Sequence, residues 1–132
     1  MVTLAFYNLK GGVGKTASTV NLAYLAAKEG KKTLVWDLDP QGSATFYLGV
    51  SPGTKNESKK ILLQEMDMSD AILPTIYEHL SVIPADLSAR HADILLNEMK
   101  QFKKKFLAIM NSFKKEFDLL IIDCPPGLSV LH

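Results

Sequence analysis

The feature that most constrains this chain is a glycine-rich turn between an apolar run and an amphipathic segment. Residues 2–7 are almost wholly apolar, which is typical of a strand covered on both faces of its sheet. Residues 15–28 then carry apolar side chains at helical spacing, and Gly30 follows as a helix stop. A second apolar run covers residues 33–36. Strand, helix and strand in this order predict a βαβ unit and a parallel sheet.

The rest of the chain predicts further strands and helices around the same sheet. Apolar runs at residues 80–83 and 119–122 predict a third and a fourth strand. Short helices are expected at 58–66 and 69–73, each beginning at a serine that can cap it. These elements predict a single α/β domain over residues 1–132, with three layers and a mainly parallel sheet.

Two more helices are expected before the fourth strand. Residues 88–99 have a helical pattern, and from 99 to 117 apolar and aromatic residues recur every three or four positions. The second helix also carries a lysine-rich face, which we interpret as a solvated face rather than a DNA contact.

Composition excludes several classes of protein. The chain is 47% hydrophobic and 22% charged, which is typical of a globular domain. Its net charge of +1 indicates no general affinity for nucleic acid. Cys124 is the single cysteine, so an internal disulfide is impossible and a reducing, cytoplasmic setting is expected. No signal peptide or membrane-length apolar run is present in the sequence.

The glycine-rich turn has the chemistry of a phosphate-binding loop. Its glycines allow backbone N–H groups to approach phosphate oxygens, and the helix that follows adds unpaired N–H donors. Lys15 supplies a cation for the β- and γ-phosphates, and the Thr16 hydroxyl can ligate Mg²⁺. The sequence therefore predicts ATP and Mg²⁺ as ligands. The nucleotide-binding residues predicted from this chemistry are Gly11, Gly12, Val13, Gly14, Lys15, Thr16 and Ala17.

The loop departs from the common phosphate-loop pattern in an informative way. Leu9 stands where that pattern has its first glycine, and Lys10 precedes the glycine pair. Lys-Gly-Gly-Val-Gly-Lys-Thr resembles the deviant Walker A motif of the ParA/MinD ATPases. The resemblance implies that Lys10 reaches the phosphates of a partner protomer and neutralises charge in the transition state.

Two further acidic turns resemble signatures of the same family. Residues 37–42 read Asp-Leu-Asp-Pro-Gln-Gly, and the resemblance implies that Asp39 positions the attacking water and approaches the magnesium shell. Asp37 is left with two interpretations: it supports the metal shell indirectly, or it caps the following loop. Asp123 ends the fourth strand as in a Walker B motif, which implies that it helps to hold Mg²⁺. The predicted catalytic residues are thus Lys10, Lys15 and Asp39, and the metal residues are Thr16, Asp39 and Asp123.

The resemblance is closest to the Soj/ParA partition branch, since MinD lacks the Asp-Pro-Gln-Gly turn. It implies an ATP hydrolase that acts as a nucleotide-switched homodimer in plasmid or chromosome partitioning. It also implies a ParB-like activator, nonspecific DNA binding by the full-length protein, a cytoplasmic or nucleoid location and no membrane contact.

The family domain is much longer than 132 residues, so the resemblance covers its N-terminal part, up to the Walker B turn. We therefore expect residues 2–7 to form an unpaired apolar edge, in a chain that is incomplete or that buries this edge by oligomerisation. Two alternatives stay open. The chain is a non-catalytic nucleotide-binding or interaction module, or it is a MinD-like positioning regulator.

Overall fold

The structure, a computed structural model, describes residues 1–6, 15–86, 101, 105, 108–109 and 116–124. Within these residues, strands and helices alternate along the chain. They are β1 (Val2–Phe6), α1 (Lys15–Lys28), β2 (Thr33–Asp37), α2 (Ser43–Tyr47), α3 (Glu57–Leu62), a 3₁₀ helix (Met68–Ala71), β3 (Leu73–Pro74), β4 (Leu80–Ile83) and β5 (Leu119–Asp123).

The described strands form one sheet in the order β1-β5-β2-β4-β3. The pairs β1–β5, β5–β2 and β2–β4 are parallel, and only the short β3 runs antiparallel to its neighbour. Because β5 lies between β1 and β2, the carboxyl ends of the first, second and last strands meet at one edge. The predicted mainly parallel α/β sheet is confirmed.

The central strand β2 is buried along its whole length, and its side chains alternate between two cores. Leu34 and Trp36 belong to one core, together with Ile61 and Leu62 of α3. Val35 belongs to the other, where the alanines of α1 pack against it. Helical elements therefore cover both faces of the sheet, which gives the predicted three layers.

Helix α1 has the bounds predicted from the sequence. Ala23, Ala26 and Ala27 are the buried side of the helix and allow it to pack closely on the sheet. The helix ends where Gly30 adopts a left-handed φ of 90°, and the Gly30 N–H donates to the Ala27 carbonyl at 2.9 Å. This is the glycine stop that the sequence indicated.

Strand β1 differs from the first expectation for residues 2–7. It is the outer strand of the sheet, with Val2 60% and Leu4 39% exposed, so the prediction of a strand covered on both faces is wrong for it. The apolar run led us to expect a buried strand, but β1 lies at the edge of the sheet. Among the described residues it pairs only with β5, and its side chains are correspondingly exposed. The second expectation, an apolar edge strand without a partner on its outer side, is confirmed for residues 2–6 among the described strands.

The two short helices also differ from prediction. α3 ends at Leu62 and is preceded by Asn56 in a left-handed conformation, so no serine caps it. Ser58 instead lies in the core, where its hydroxyl accepts the Trp36 Nε1–H at 2.9 Å. The segment predicted at 69–73 is a 3₁₀ helix capped by Asp67, whose carboxylate accepts the N–H of Ser69. Neither helix therefore begins at a serine cap: Ser58 makes a core contact, and the 3₁₀ helix is capped by an aspartate.

Two expectations lie largely outside the described residues. Residues 88–99 are wholly outside them, and of 99–117 only a few positions are described, among which Ile109 is 3% exposed and packs in the α3-side core. Within the described part of the chain, no helix is long and apolar enough to cross a membrane.

Candidate functional site

Three strand ends lie side by side at the carboxyl edge of the sheet. Phe6 of β1 is in register with Asp123 of β5, and Asp123 is in register with Asp37 of β2. In a parallel sheet, in-register residues point to the same face and neighbouring strands are about 4.8 Å apart. The chain therefore places two aspartates next to each other, beside the strand from which the glycine-rich loop departs.

The face on which these aspartates lie is the α1 face. Val35 and Ile121, two residues before Asp37 and Asp123, both pack in the α1-side core, and side chains two apart share a face. Strand β1 ends at Phe6 on this edge, and α1, which begins at Lys15, packs on this face. Helix α1 thus begins on the side of the sheet where both carboxylates lie.

The predicted phosphate-loop residues are only partly described. Lys10, Gly11, Gly12, Val13 and Gly14 lie outside the described residues, and Lys15 is described only as the first residue of α1. Thr16 is half-buried and Ala17 exposed in the first turn, which contains no acidic residue. The N–H groups of such a turn are donors for an anion.

Asp37 is fully buried and organises the loop that follows β2. Its Oδ1 accepts the Asp39 N–H at 3.1 Å, and its Oδ2 accepts both the N–H and the hydroxyl of Thr45, at 2.9 and 2.6 Å. Burial raises the pKa of Asp37 to about 6; the neighbouring Asp123 carboxylate adds to the rise and the Thr45 hydrogen bonds oppose it. Of its two interpretations, capping the loop is the one that these contacts support.

Asp39 lies in a tight turn at the same edge. Its side chain is 4% exposed, and its Oδ1 accepts the N–H of Gln41 at 3.0 Å. Its carbonyl accepts the N–H of Gly42 at 2.9 Å, and Gly42 has a left-handed φ of 67°. The turn is therefore fixed by local hydrogen bonds on both sides of the carboxylate.

Asp123, like Asp37, has no solvent-exposed surface. Its carbonyl accepts the Leu38 N–H at 2.9 Å, and the next N–H, of Cys124, donates to the Phe6 carbonyl at 2.9 Å. Backbone bonds to both neighbouring strands thus fix the position of Asp123. Cys124 is buried in the α3-side core, on the opposite face, where it is a packing residue.

The donor chemistry suits magnesium more than a transition metal. Asp39, Asp123 and Thr16 offer oxygen atoms, which Mg²⁺ prefers, and magnesium commonly takes one or two carboxylates with phosphate oxygens and water. Over the described residues, no three histidine, cysteine or acidic side chains are grouped closely enough to hold a metal by themselves. Oxygen donors of this type fit a magnesium site that phosphate oxygens and water would complete.

Thr45 belongs to this site, although the sequence did not single it out. It is 1% exposed in α2, and besides donating to Asp37 its hydroxyl accepts the N–H of Ala85 at 2.9 Å. Ala85 follows β4, so the contact spans 40 residues. The only local signal was a small hydroxyl residue close behind the Asp-Pro-Gln-Gly turn.

Comparison with known proteins places this geometry in a family. A family model described as an AAA domain matches residues 1–132. The chain is 39% identical over 129 residues to the sporulation initiation inhibitor protein Soj of Bacillus subtilis, covering 97% of this chain and 51% of that protein. It is 36% identical over 129 residues to the chromosome-partitioning ATPase Soj of Treponema pallidum, covering 98% and 50% respectively.

A solved structure has the same fold over the chain. Cobyrinic acid a,c-diamide synthase from Mycobacterium smegmatis, with a bound ATP analogue and magnesium, superposes with a TM-score of 0.78 at 33% identity. The match covers 99% of this chain and 52% of that one. The chain spans about half the length of the curated relatives and of the solved structure that it matches.

Proposed function

Because this chain belongs to the AAA-domain family and is similar to Soj proteins over about half of their length, we propose that it is part of a ParA/Soj-type ATPase that binds and hydrolyses Mg²⁺-ATP. The observation that carries the proposal is the row of strand ends at the carboxyl edge. Phe6, Asp123 and Asp37 are in register there, so β1, which directly precedes the predicted phosphate loop in the sequence, ends beside two buried carboxylates. A nucleotide site at this edge is what open α/β sheets provide.

The triphosphate is held by the loop and the first turn of α1. In this proposal the backbone N–H groups of residues 11–17 surround the phosphate oxygens, and Lys15 neutralises the β- and γ-phosphates. Thr16 lies in the first turn of α1, at the sheet edge where Asp123 ends β5. Thr16 and Asp123 would hold Mg²⁺, Asp123 through a water molecule, while Asp39 approaches the same shell. Magnesium, when bound, offsets the negative charge that develops on the phosphates.

Hydrolysis requires a water molecule oriented toward the γ-phosphate. Asp39 is the proposed orienting residue, because the turn at residues 39–42 fixes its carboxylate at the edge where the phosphate loop departs. Orientation of this kind lowers the barrier by holding the attacking oxygen in line with the leaving group. Lys10 completes the proposal by acting in trans on the phosphates of a partner protomer.

The names of the relatives support a proposal for the cellular role. The Treponema pallidum relative is named a chromosome-partitioning ATPase, and we propose a partition role for the full protein that carries this chain. ATP would favour a homodimer that binds DNA nonspecifically, and a ParB-like partner would stimulate hydrolysis. The cargo would be a plasmid or a chromosome.

The trans role of Lys10 is tested by mixing two inactive variants of the full natural protein. Lys10→Ala and Asp39→Ala should each lower ATP turnover by about 100-fold or more, since each removes a group that acts in the transition state. A mixed dimer has one site with both an intact Asp39 and an intact partner Lys10, so mixing should restore up to about a quarter of wild-type turnover. Lys31→Ala, at an exposed lysine, is the matched control and should stay active.

Two results would contradict the proposed role of Lys10. Full activity of Lys10→Ala would show that Lys10 has no catalytic role. Failure of the mixture to recover any turnover would show that Lys10 does not act in trans. If the wild-type protein itself binds ATP but does not hydrolyse it, the non-catalytic module is the correct alternative.

A further inference from the structure

A buried hydrogen-bond bridge connects three separate segments behind the proposed water-orienting residue. Thr45 is its centre: the N–H and the hydroxyl of Thr45 both donate to Asp37 Oδ2, at 2.9 and 2.6 Å. The same hydroxyl accepts the N–H of Ala85 at 2.9 Å. A hydroxyl offers one hydrogen and two lone pairs, so a single atom serves as donor toward β2 and as acceptor toward the end of β4.

The other oxygen of Asp37 continues the bridge to Asp39. Asp37 Oδ1 accepts the Asp39 N–H at 3.1 Å, so the two oxygens of one carboxylate hold Thr45 on one side and Asp39 on the other. The Asp37 backbone is fixed at the end of β2, where Asp37 is in register with Asp123 of β5. The hydrogen bond from the Asp39 N–H therefore ties the position of the Asp39 turn to that of the Asp37 carboxylate.

The far end of the bridge is anchored by backbone contacts. The Ala85 carbonyl accepts the Gly53 N–H at 2.8 Å, and the Asp86 carboxylate accepts the Asn56 N–H. Gly53 and Asp86 also form a parallel β-bridge. The N–H of Ala85 is thus part of a braced segment, and the Thr45 hydroxyl joins this segment to the Asp39 turn.

We propose that Thr45 is a positioning residue for ATP hydrolysis, whose hydroxyl ties the Asp39 turn to the ends of β2 and β4 and so holds the Asp39 carboxylate in place. The inference rests on the proposed function. Thr45 acts through Asp37 and Asp39 and need not contact the nucleotide. Its loss should therefore lower kcat and leave the affinity for Mg²⁺-ATP nearly unchanged.

Valine is the informative substitution at this position. Thr45→Val keeps the branched side chain and the backbone N–H that donates to Asp37, but it removes the hydroxyl that donates to Asp37 and accepts from Ala85. Thr45→Ser keeps the hydroxyl and removes only a methyl group. Thr33→Val is the matched control, because Thr33 is a buried threonine like Thr45 but lies at the start of β2, at the opposite end of the strand from Asp37. Its hydroxyl donates to the Lys31 carbonyl at 2.9 Å.

The test measures kcat and KM for ATP in the full natural protein, well below the melting temperature of each variant. Thr45→Val should lower kcat about 10- to 100-fold, the scale expected for a displaced catalytic group, with KM within about threefold of wild type. Thr45→Ser and Thr33→Val should keep kcat within about threefold, although Thr33→Val also loses thermal stability. Wild-type kcat in Thr45→Val, or an equal loss in Thr45→Ser or Thr33→Val, would overturn the inference.

Amide hydrogen exchange separates this inference from the proposed function. Thr45→Val should raise the exchange rates of the Asp39 and Ala85 amides, and Thr33→Val should not. An inactive wild-type protein would refute the proposed hydrolysis. The exchange rates of the Asp39 and Ala85 amides would then still show whether Thr45 holds the Asp39 turn, because they do not depend on turnover. Unchanged exchange at Asp39 in Thr45→Val would overturn the role. If Thr45→Val does not fold, Thr45→Cys, with only a weak donor and acceptor, replaces it in the same comparison.

Discussion

Replacing Asp37 by asparagine should change how the stability of the nucleotide-free protein depends on pH. Burial beside Asp123 raises the Asp37 pKa from 3.8 to about 6 in the folded state. Between these two values the folded protein binds the proton more tightly than the unfolded chain does. Stability from this group is therefore greatest below the unfolded pKa and is lost as pH rises through the folded pKa.

The size of the effect follows from the two pKa values. A shift from 3.8 to about 6 is about two units, and at 1.36 kcal/mol per unit the full loss is about 3 kcal/mol. Between pH 4.5 and 7 about 2 kcal/mol of this loss should be seen, because the unfolded group is already mostly ionised at pH 4.5. An asparagine side chain carries no charge at either pH, so the Asp37→Asn variant should lack this component.

Urea unfolding at a series of pH values, with EDTA and without nucleotide, measures the difference between the two proteins. The free energy of unfolding of wild type minus that of Asp37→Asn should fall by about 2 kcal/mol from pH 4.5 to 7. Using this difference cancels the titration of distant carboxylates. A difference that is constant over this range, or that rises with pH, would refute the reasoning about a crowded, buried Asp37.

Three further outcomes test other parts of the fold. Ser58→Ala should lower the free energy of unfolding by about 1–3 kcal/mol in urea titrations, because it removes the acceptor of the buried Trp36 Nε1–H. The control Ser51→Ala, at an exposed serine, should change it by less than about 0.5 kcal/mol, and equal effects of the two variants would argue against the hydrogen bond in the core. Gly30→Ala should lower the melting temperature because φ is 90° there, while Gly30→Asn costs less, and a harmless alanine would contradict the left-handed helix stop. The chain of residues 1–132 alone should self-associate in light scattering through its exposed edge strand, and Val2→Lys should weaken this association; a monomeric chain at all concentrations would contradict the role of the edge.

Elements with local signals were predictable from the sequence. Helix α1 has the predicted ends because Gly30 marks its stop and alanines mark its buried side, both within one short segment. The strands at 33–36, 80–83 and 119–122 were likewise found as apolar runs, and each is buried over most of its length. The aspartates that end β2 and β5 were found because they follow such runs directly.

Features that depend on distant parts of the chain were not predictable. Ser58 was expected to cap a helix, but it pairs with Trp36, 22 residues earlier. Thr45 was not singled out, because its importance comes from Ala85, which lies 40 residues away and reaches it only when β4 pairs with β2. The exposure of β1 likewise follows from strand order, which an apolar run does not encode.

ATP turnover in the full natural protein is the most direct test of the central claim. Wild type should hydrolyse ATP in the presence of Mg²⁺, and Lys15→Ala and Asp39→Ala should each lower the rate by about 100-fold or more, while Lys31→Ala should match wild type. Lys15→Ala should lose ATP binding as well, whereas Asp39→Ala should retain it. Turnover that is unchanged in either Lys15→Ala or Asp39→Ala would contradict an ATP site built on this loop and this sheet edge.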